Sequence, residues 1–301
     1  MKTGEAFGEA RVWEGGGGVI GLIAGQGTLP WMVLRGMLAS GYRPVVAGFR
    51  GQADAGLAGL AWRFGWVGVA RPGSWVRLLR RYGVREAVMV GRVRKSRLHS
   101  RWRWVQYWPD LLAVRIYYGL SRGDRRNEAL LRATATALSW RGVELISSVR
   151  FCMEHLAGEG LLGGPAVGAG VMSDVSFGVG VCRMVVEHDI GQAVIVKEKD
   201  VIAVEAIEGT DRLIERAGEL VPRGGWVLVK LAKREQDARF DVPVVGPSTV
   251  ENVAKAGGRL IAVEAGGVLL VDREQTLAAA DRLGVSVVGV RVGVSGVGQA
   301  V

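Results

Sequence analysis

The stretch VIGLIAGQGTLPWMVLRGMLASGYRPVVAGF, residues 19–49, decides the fold class. VIGLIA is a continuous apolar run, bounded by glycine and of strand length, as a buried strand requires. GQGTLP is a turn, WMVLRGMLASG is a helix closed by Gly41, and RPVVAGF is a second strand. Strand, helix, strand at this spacing predicts a parallel βαβ unit. Apolar runs at 67–70 and 87–91 around a helical stretch near 74–82 continue it, and two helical patterns follow near 109–120 and 127–141.

The texture then changes. The glycine-rich interval AGEGLLGGPAVGAG, residues 157–170, reads as a crossing between halves. AVIVKEKDVIAVEA predicts a hairpin. EGTDRLIERAGEL predicts a helix capped by Thr210 or Asp211, and PSTVENVAKAG one capped by Ser248 or Thr249. GWVLVKLA is a strand, RLIAVEAGGVLLVD a second hairpin across Gly266-Gly267, REQTLAAADRLG a helix and VSVVGV a last strand. The expected class is α/β in two domains, with a Rossmann-like parallel sheet first, a mixed α/β domain second, and the ligand site between them. The expected boundaries are a flexible extension at 1–18, domains at 19–150 and 176–301, and a connecting segment at 151–175.

Bulk properties narrow the function. The 301 residues are 49% apolar and 23% charged, which is globular composition. No window holds about 18 uninterrupted apolar residues, and the N-terminus lacks a secretion-signal core. The two cysteines, Cys152 and Cys182, form no metal spacing or disulfide framework, which fits a cytoplasmic setting. The net charge is +10, and its excess is concentrated between Arg71 and Arg141, where 17 Lys or Arg stand with a handful of acids and five tryptophans. Such a face suits nucleic acid, an anionic membrane or a phosphorylated ligand, or it is a solvated surface.

Four motifs carry chemistry. The turn Gly25-Gln26-Gly27 could present backbone N–H groups to a phosphate at a helix start. It lacks the third glycine of a dinucleotide fingerprint, and the next strand ends in AGFRG without an acid, so a nicotinamide site is disfavoured. Arg92 and Lys95 in GRVRK follow a strand end, where α/β sheets place ligands. Asp124 opens a helix in RGDRRNEALL. Gln192, Glu205, Glu208, Gly209, Thr210 and Asp211 gather around the predicted hairpin, where their oxygens suit substrate or a hard cation. The densest stretch is KREQDARFDVPVVG, residues 233–246. There Lys233 and Arg239, with Lys230 just before, supply cations for a diphosphate. Asp237 and Asp241 supply carboxylates for a metal or an attacking water, and Gln236 adds a polar contact. The three histidines have no partner at a catalytic-triad spacing.

Taken in order, GLIAGQGTLP, GRVRK, RGD with ALLR, DIGQAVIV, AVEAIEGTD and KREQDARFDVPVVGPST resemble the LpxI-type UDP-2,3-diacylglucosamine pyrophosphatase family, and the resemblance runs from about residue 19 to 291. It implies hydrolysis of the diphosphate of UDP-2,3-diacylglucosamine to UMP and 2,3-diacylglucosamine 1-phosphate, a lipid A step, with Mg²⁺ as cofactor. It also implies peripheral contact with the cytoplasmic face of a Gram-negative inner membrane and no nucleic-acid partner; homo-oligomerisation is left open. Asp241 matches the family's essential aspartate in R-x-D-x-P. The extension 1–18, the Arg/Trp-rich 96–110 and the charge-poor 161–174 depart from the family pattern. The alternative class is a non-catalytic protein that binds a nucleotide-lipid or a membrane surface.

Overall fold

The computed structural model describes residues 17–93, 109–120, 127–233 and 242–293. These divide into two compact units, one up to Cys152 and the other from Met153 onward.

In the first unit, β1 (Val19–Ala24), α1 (Leu29–Ala39), β2 (Arg43–Phe49), β3 (Arg63–Val67), α2 (Pro72–Arg81), β4 (Glu86–Val90), α3 (Leu111–Arg115), α4 (Asn127–Ser139) and β5 (Glu144–Leu145) follow in order. The strands form one parallel sheet, ordered β3-β2-β1-β4-β5. The βαβ reading of residues 19–49 holds, down to α1 ending at Ala39 with Gly41 at positive φ just beyond it. The strand expected at 67–70 lies four residues earlier, because Pro72 opens α2 and the chain must turn before it. Trp75, Val76 and Leu79 of α2 and Ala135 and Leu138 of α4 form one core with Ile23, Val45 and Ala47 of the sheet. α3 continues into a π-helical turn, Ile116–Leu120, and lies outside α2 and α4, with Leu112 and Ile116 against Ala133 and Ala137.

The second unit runs β6 (Gly160–Gly163), α5 (Ala169–Glu187), β7 (Ala193–Lys197), β8 (Asp200–Val204), α6 (Thr210–Leu220), β9 (Val227–Lys230), β10 (Val244–Val245), α7 (Pro247–Lys255), β11 (Leu260–Glu264), β12 (Leu269–Leu270), α8 (Arg273–Leu283) and β13 (Ser286–Val290). Its main sheet is mixed, ordered β6-β13-β11-β9-β7-β8. β9, β11 and β13 are parallel, while β7 and β6 run antiparallel to their neighbours. Period-two alternation supplies two cores. Val194 and Val196 face α5, whose Val175, Val179, Cys182 and Val186 cover them. Ala193 and Ile195 face α6, α7 and α8. α5 is long and apolar enough to cross a membrane by length and composition alone. Here it is a core helix, and its two buried charges, Asp174 and Arg183, are bonded inside the unit. Asp174 accepts hydrogen bonds from the Glu198 and Lys199 N–H groups, and Arg183 pairs with Glu264.

Three local expectations are corrected. The glycine-rich interval 157–170 is more than a crossing, since it holds β6, an edge strand that pairs with β13. The second hairpin does not form: β11 lies in the main sheet, whereas β12 pairs in parallel with β10. The N-cap positions are glycines, Gly209 for α6 and Gly246 for α7, while Thr249 caps α7 from its third position, accepting the Gly246 N–H at 3.5 Å. Thr210 is diverted from capping because its hydroxyl bonds Glu205.

Candidate active site

In the second unit the chain leaves β8 at Val204 and enters α6 at Thr210, and the turn between is filled by side chains. Glu205 is buried. One carboxylate oxygen accepts the Thr210 hydroxyl at 2.7 Å and the other accepts the Gln192 N–H at 3.2 Å. Gly191 makes that approach feasible, since a Cβ there would lie 2.1 Å from the Glu205 carbonyl oxygen. Lys230, the last residue of β9, is equally buried. Its ammonium donates to Thr210 Oγ1 at 3.0 Å and to the Val244 carbonyl at 3.2 Å. A buried ammonium and a buried carboxylate thus bracket one hydroxyl, as buried charges require. Glu208 accepts the Ala206 N–H at 3.1 Å and pairs with Arg216 at 3.1 Å, while Asp211 accepts from Asn252 at 3.2 Å.

Beyond β9, a second buried network holds the chain just before the charged segment. Glu264 accepts the Ala232 N–H at 2.9 Å, and Arg183 donates to Glu264 at 3.3 Å and to the Ala232 carbonyl at 3.4 Å. Lys233 then pairs with Asp189. On either side of the charged segment the chain is tied to charged groups: Ala232 to the partly buried Glu264 and the buried Arg183, and Val244 to the buried Lys230. Sequence reasoning read Lys230 as a cation for a diphosphate; the structure shows it buried, bonded to Thr210 and Val244. Sequence reasoning missed Arg183, Glu264 and Asp189. A lone arginine inside the apolar run VGVCRMVVE was the available signal, because an arginine on a core helix is rarely buried without a partner. Cys182 beside it lies near the Gln192 carbonyl at 3.5 Å and the Val229 carbonyl at 3.8 Å. Burial pushes its thiol from 9.0 up to about 12, so it is not a nucleophile at neutral pH.

In the first unit the β1–α1 turn lies at the sheet's C-terminal edge, where β1 separates β2 from β4. That reversal of strand order is where open α/β sheets bind ligands. Two of the three expected phosphate donors are already engaged. The Gly25 N–H bonds the Val90 carbonyl at 2.8 Å, and Gln26 and Arg92 exchange backbone hydrogen bonds at 2.9 and 2.8 Å. Gly25 is glycine for contact, since a Cβ there would meet the Arg92 and Gly91 backbone at 2.8 Å. Gly27, at φ +110, opens onto clear space; within the first turn of α1, Pro30 carries no N–H and the Trp31 N–H bonds the Thr28 carbonyl at 3.0 Å. Arg92 is exposed next to this turn.

The described candidates form two sets. Gly25, Gln26, Gly27 and Arg92 meet in the first unit; in the second, Gln192 and Thr210 meet on Glu205, Glu208 and Gly209 lie in the same turn, Asp211 bonds Asn252 and Lys233 pairs with Asp189. Lys95, Asp124, Gln236, Asp237, Arg239 and Asp241 lie outside the described residues. The turn 205–211 does not fit a divalent cation. Both Glu205 oxygens are engaged, an ammonium sits 3.0 Å from Thr210 Oγ1, and no three His, Cys, Asp or Glu side chains gather among the described residues.

Comparison with known proteins follows the same division. Residues 19–155 match the LpxI N-terminal domain and residues 158–288 match the LpxI C-terminal domain. The chain belongs to the LpxI family. It is 33% identical over 279 residues to the UDP-2,3-diacylglucosamine pyrophosphatase LpxI of Caulobacter vibrioides, covering 90% of this chain and 97% of that protein. In this LpxI chain both sheet ends, with their helix-opening turns, fall inside the matched domains.

Proposed function

We propose that this LpxI chain hydrolyses the diphosphate of UDP-2,3-diacylglucosamine, giving UMP and 2,3-diacylglucosamine 1-phosphate for lipid A biosynthesis. The observation that carries the reading is the match to both LpxI domains, together with a pyrophosphatase relative that aligns over nearly its whole length. Hydrolysis breaks one bridging P–O bond and forms one to the water oxygen, leaving two phosphate monoesters. The charge of the diphosphate must be neutralised and the water oriented. Lys233 and Arg239 take the first task, Asp241 the second, and Gly27 with Arg92 hold the nucleotide end. Gln236, Gln192, Glu208, Gly209, Thr210 and Asp211 contact or shape the site, and Lys95 and Asp124 belong to the same proposal. A reaction with little covalent chemistry for the protein to do depends on placed charges, and Ala232 and Val244, on either side of the charged segment, are bonded to Glu264 and Lys230.

Magnesium dependence, with Asp241 and Asp237 as ligands, is part of the proposal. It is supported by the carboxylate–cation alternation of residues 233–241 and by the family resemblance. Bound there, the metal would neutralise diphosphate charge. Peripheral work at the cytoplasmic face of the inner membrane of a Gram-negative cell follows from the two-chain substrate. The test is UMP release from UDP-2,3-diacylglucosamine, run with magnesium and with EDTA. Release with magnesium and its loss in EDTA are expected; tight substrate binding without turnover under any divalent metal would replace the reading with a binding protein.

A further inference from the structure

Residues Leu111–Leu120 form a ten-residue apolar helix on the outside of the first unit. One stripe, Leu112, Ile116 and Leu120, packs on Ala133 and Ala137. A soluble outer helix would turn polar residues the other way. This one turns out Leu111, Val114 and Tyr118, spaced three and four apart on one face and 89%, 41% and 76% exposed. Arg115 shares that stripe, and its guanidinium stands 5.3 Å from the ring centroid of Trp140, itself exposed. Arg80, in the last turn of the neighbouring α2, donates to the carbonyl of Arg141, the residue after Trp140, at 2.8 Å, so two more arginines stand beside that ring. The acid at the helix start, Asp110, is consumed by the Gly73 and Ala113 N–H groups at 2.7 and 2.9 Å.

We propose that the helix Leu111–Leu120 docks this protein on an anionic phospholipid bilayer, with Leu111, Val114 and Tyr118 in the interface and Arg115 at the headgroups. Charge selects the occupant: an apolar stripe carrying an arginine and flanked by arginines and a tryptophan complements an anionic interface. Ten residues rise about 15 Å, too short to span a hydrocarbon core of about 30 Å, so the helix lies in the surface. The proposal rests on the peripheral-membrane part of the functional reading and deepens it. Vesicle binding is measured without substrate, so its failure and a failure of hydrolysis are distinguishable.

The experiment is co-sedimentation of the full chain with phosphatidylcholine vesicles, with and without phosphatidylglycerol. Wild type is expected on the anionic vesicles only, less so at high salt. The uncharged double variant Leu111→Gln/Tyr118→Ser should lose about tenfold in vesicle affinity while keeping its melting temperature and its UMP release from substrate in detergent micelles. Should that pair melt early, Leu111→Gln alone serves, since its side chain is the most exposed of the three. Arg115→Gln should weaken binding and flatten its salt dependence. Wild type that ignores anionic vesicles, or a double variant that binds as wild type does, overturns the proposal. So does a double variant whose only change is a smaller mass by light scattering, which would make the stripe an interface between copies of this chain.

Discussion

Two turns of this molecule do the same topological job with opposite chemistry. Each carries the chain from a sheet edge into a helix, residues 25–28 in the first unit and 205–209 in the second. The first is built of backbone: Gly25 and Gln26 are bonded to the end of β4, and Gly27 opens at φ +110. The second is filled by Glu205, Thr210 and Lys230, with a buried ammonium and carboxylate sharing one hydroxyl. An open backbone turn can receive a ligand. A filled one has spent its polar groups on itself, so its contribution is to position the backbone it bonds, at Gln192 and Val244. Chemistry and positioning are thus separable, and substitutions should separate them.

The largest effect belongs to Asp241, in the charged segment that follows Lys233 in the sequence. Asp241→Ala should lower kcat for UMP release by about 10³-fold or more, with an unchanged melting temperature. Wild-type turnover in that variant would remove Asp241 from the chemistry. Next, Lys230→Met removes the buried donor to Thr210 and Val244 and should cost about 1–3 kcal/mol in denaturant unfolding. Its kcat, measured well below the transition, should fall more than its KM rises. Glu205→Gln, which still offers Thr210 an acceptor, should cost less. In the open turn, Arg92→Ala should raise KM about tenfold at nearly constant kcat, because it removes uniform binding. Gly27→Ala, with room for a methyl but at φ +110, should cost about 1–2 kcal/mol of stability. If Arg92 and Lys230 variants gave the same split between kcat and KM, the contrast between the turns would collapse.

The smallest effect is a pH dependence beside the filled turn. The Cys182 thiol holds its proton to about pH 12 when folded, against 9.0 ordinarily. Above pH 9 the unfolded chain releases that proton and the folded chain keeps it. The stabilisation is therefore complete below pH 9 and is lost as pH climbs toward 12, at about 1.4 kcal/mol per pH unit at most. Cys182→Ala should flatten that part of the stability curve, as seen by urea unfolding at pH 8 and pH 10.

Local patterning made the first unit legible. Residues 19–49 announce a parallel unit because both strands are buried on both faces and read as continuous apolar runs. β3 was displaced in the reading because Arg63-Phe64-Gly65-Trp66 lacks such a run, its exposed side carrying bulky rings. The second unit was harder. RLIAVEAGGVLLVD looks like a hairpin by its central glycines, yet its halves pair with strands far away in sequence, and no local pattern encodes that partner choice. The site was legible as motifs and not as roles. Lys230 stands among charges in the sequence, and only its burial reveals that it braces Thr210 and Val244. The turn 205–211 teaches the same: both Glu205 oxygens are engaged by Thr210 and Gln192, which adjacency in sequence does not reveal.

The central claim is a hydrolysis, and the most direct test is the reaction itself. Purified full-length protein is incubated with UDP-2,3-diacylglucosamine in detergent micelles with magnesium, and nucleotide products are separated by chromatography. The account predicts UMP and 2,3-diacylglucosamine 1-phosphate in equal amounts from wild type and neither from Asp241→Ala. Intact substrate after incubation with folded wild-type protein would contradict it.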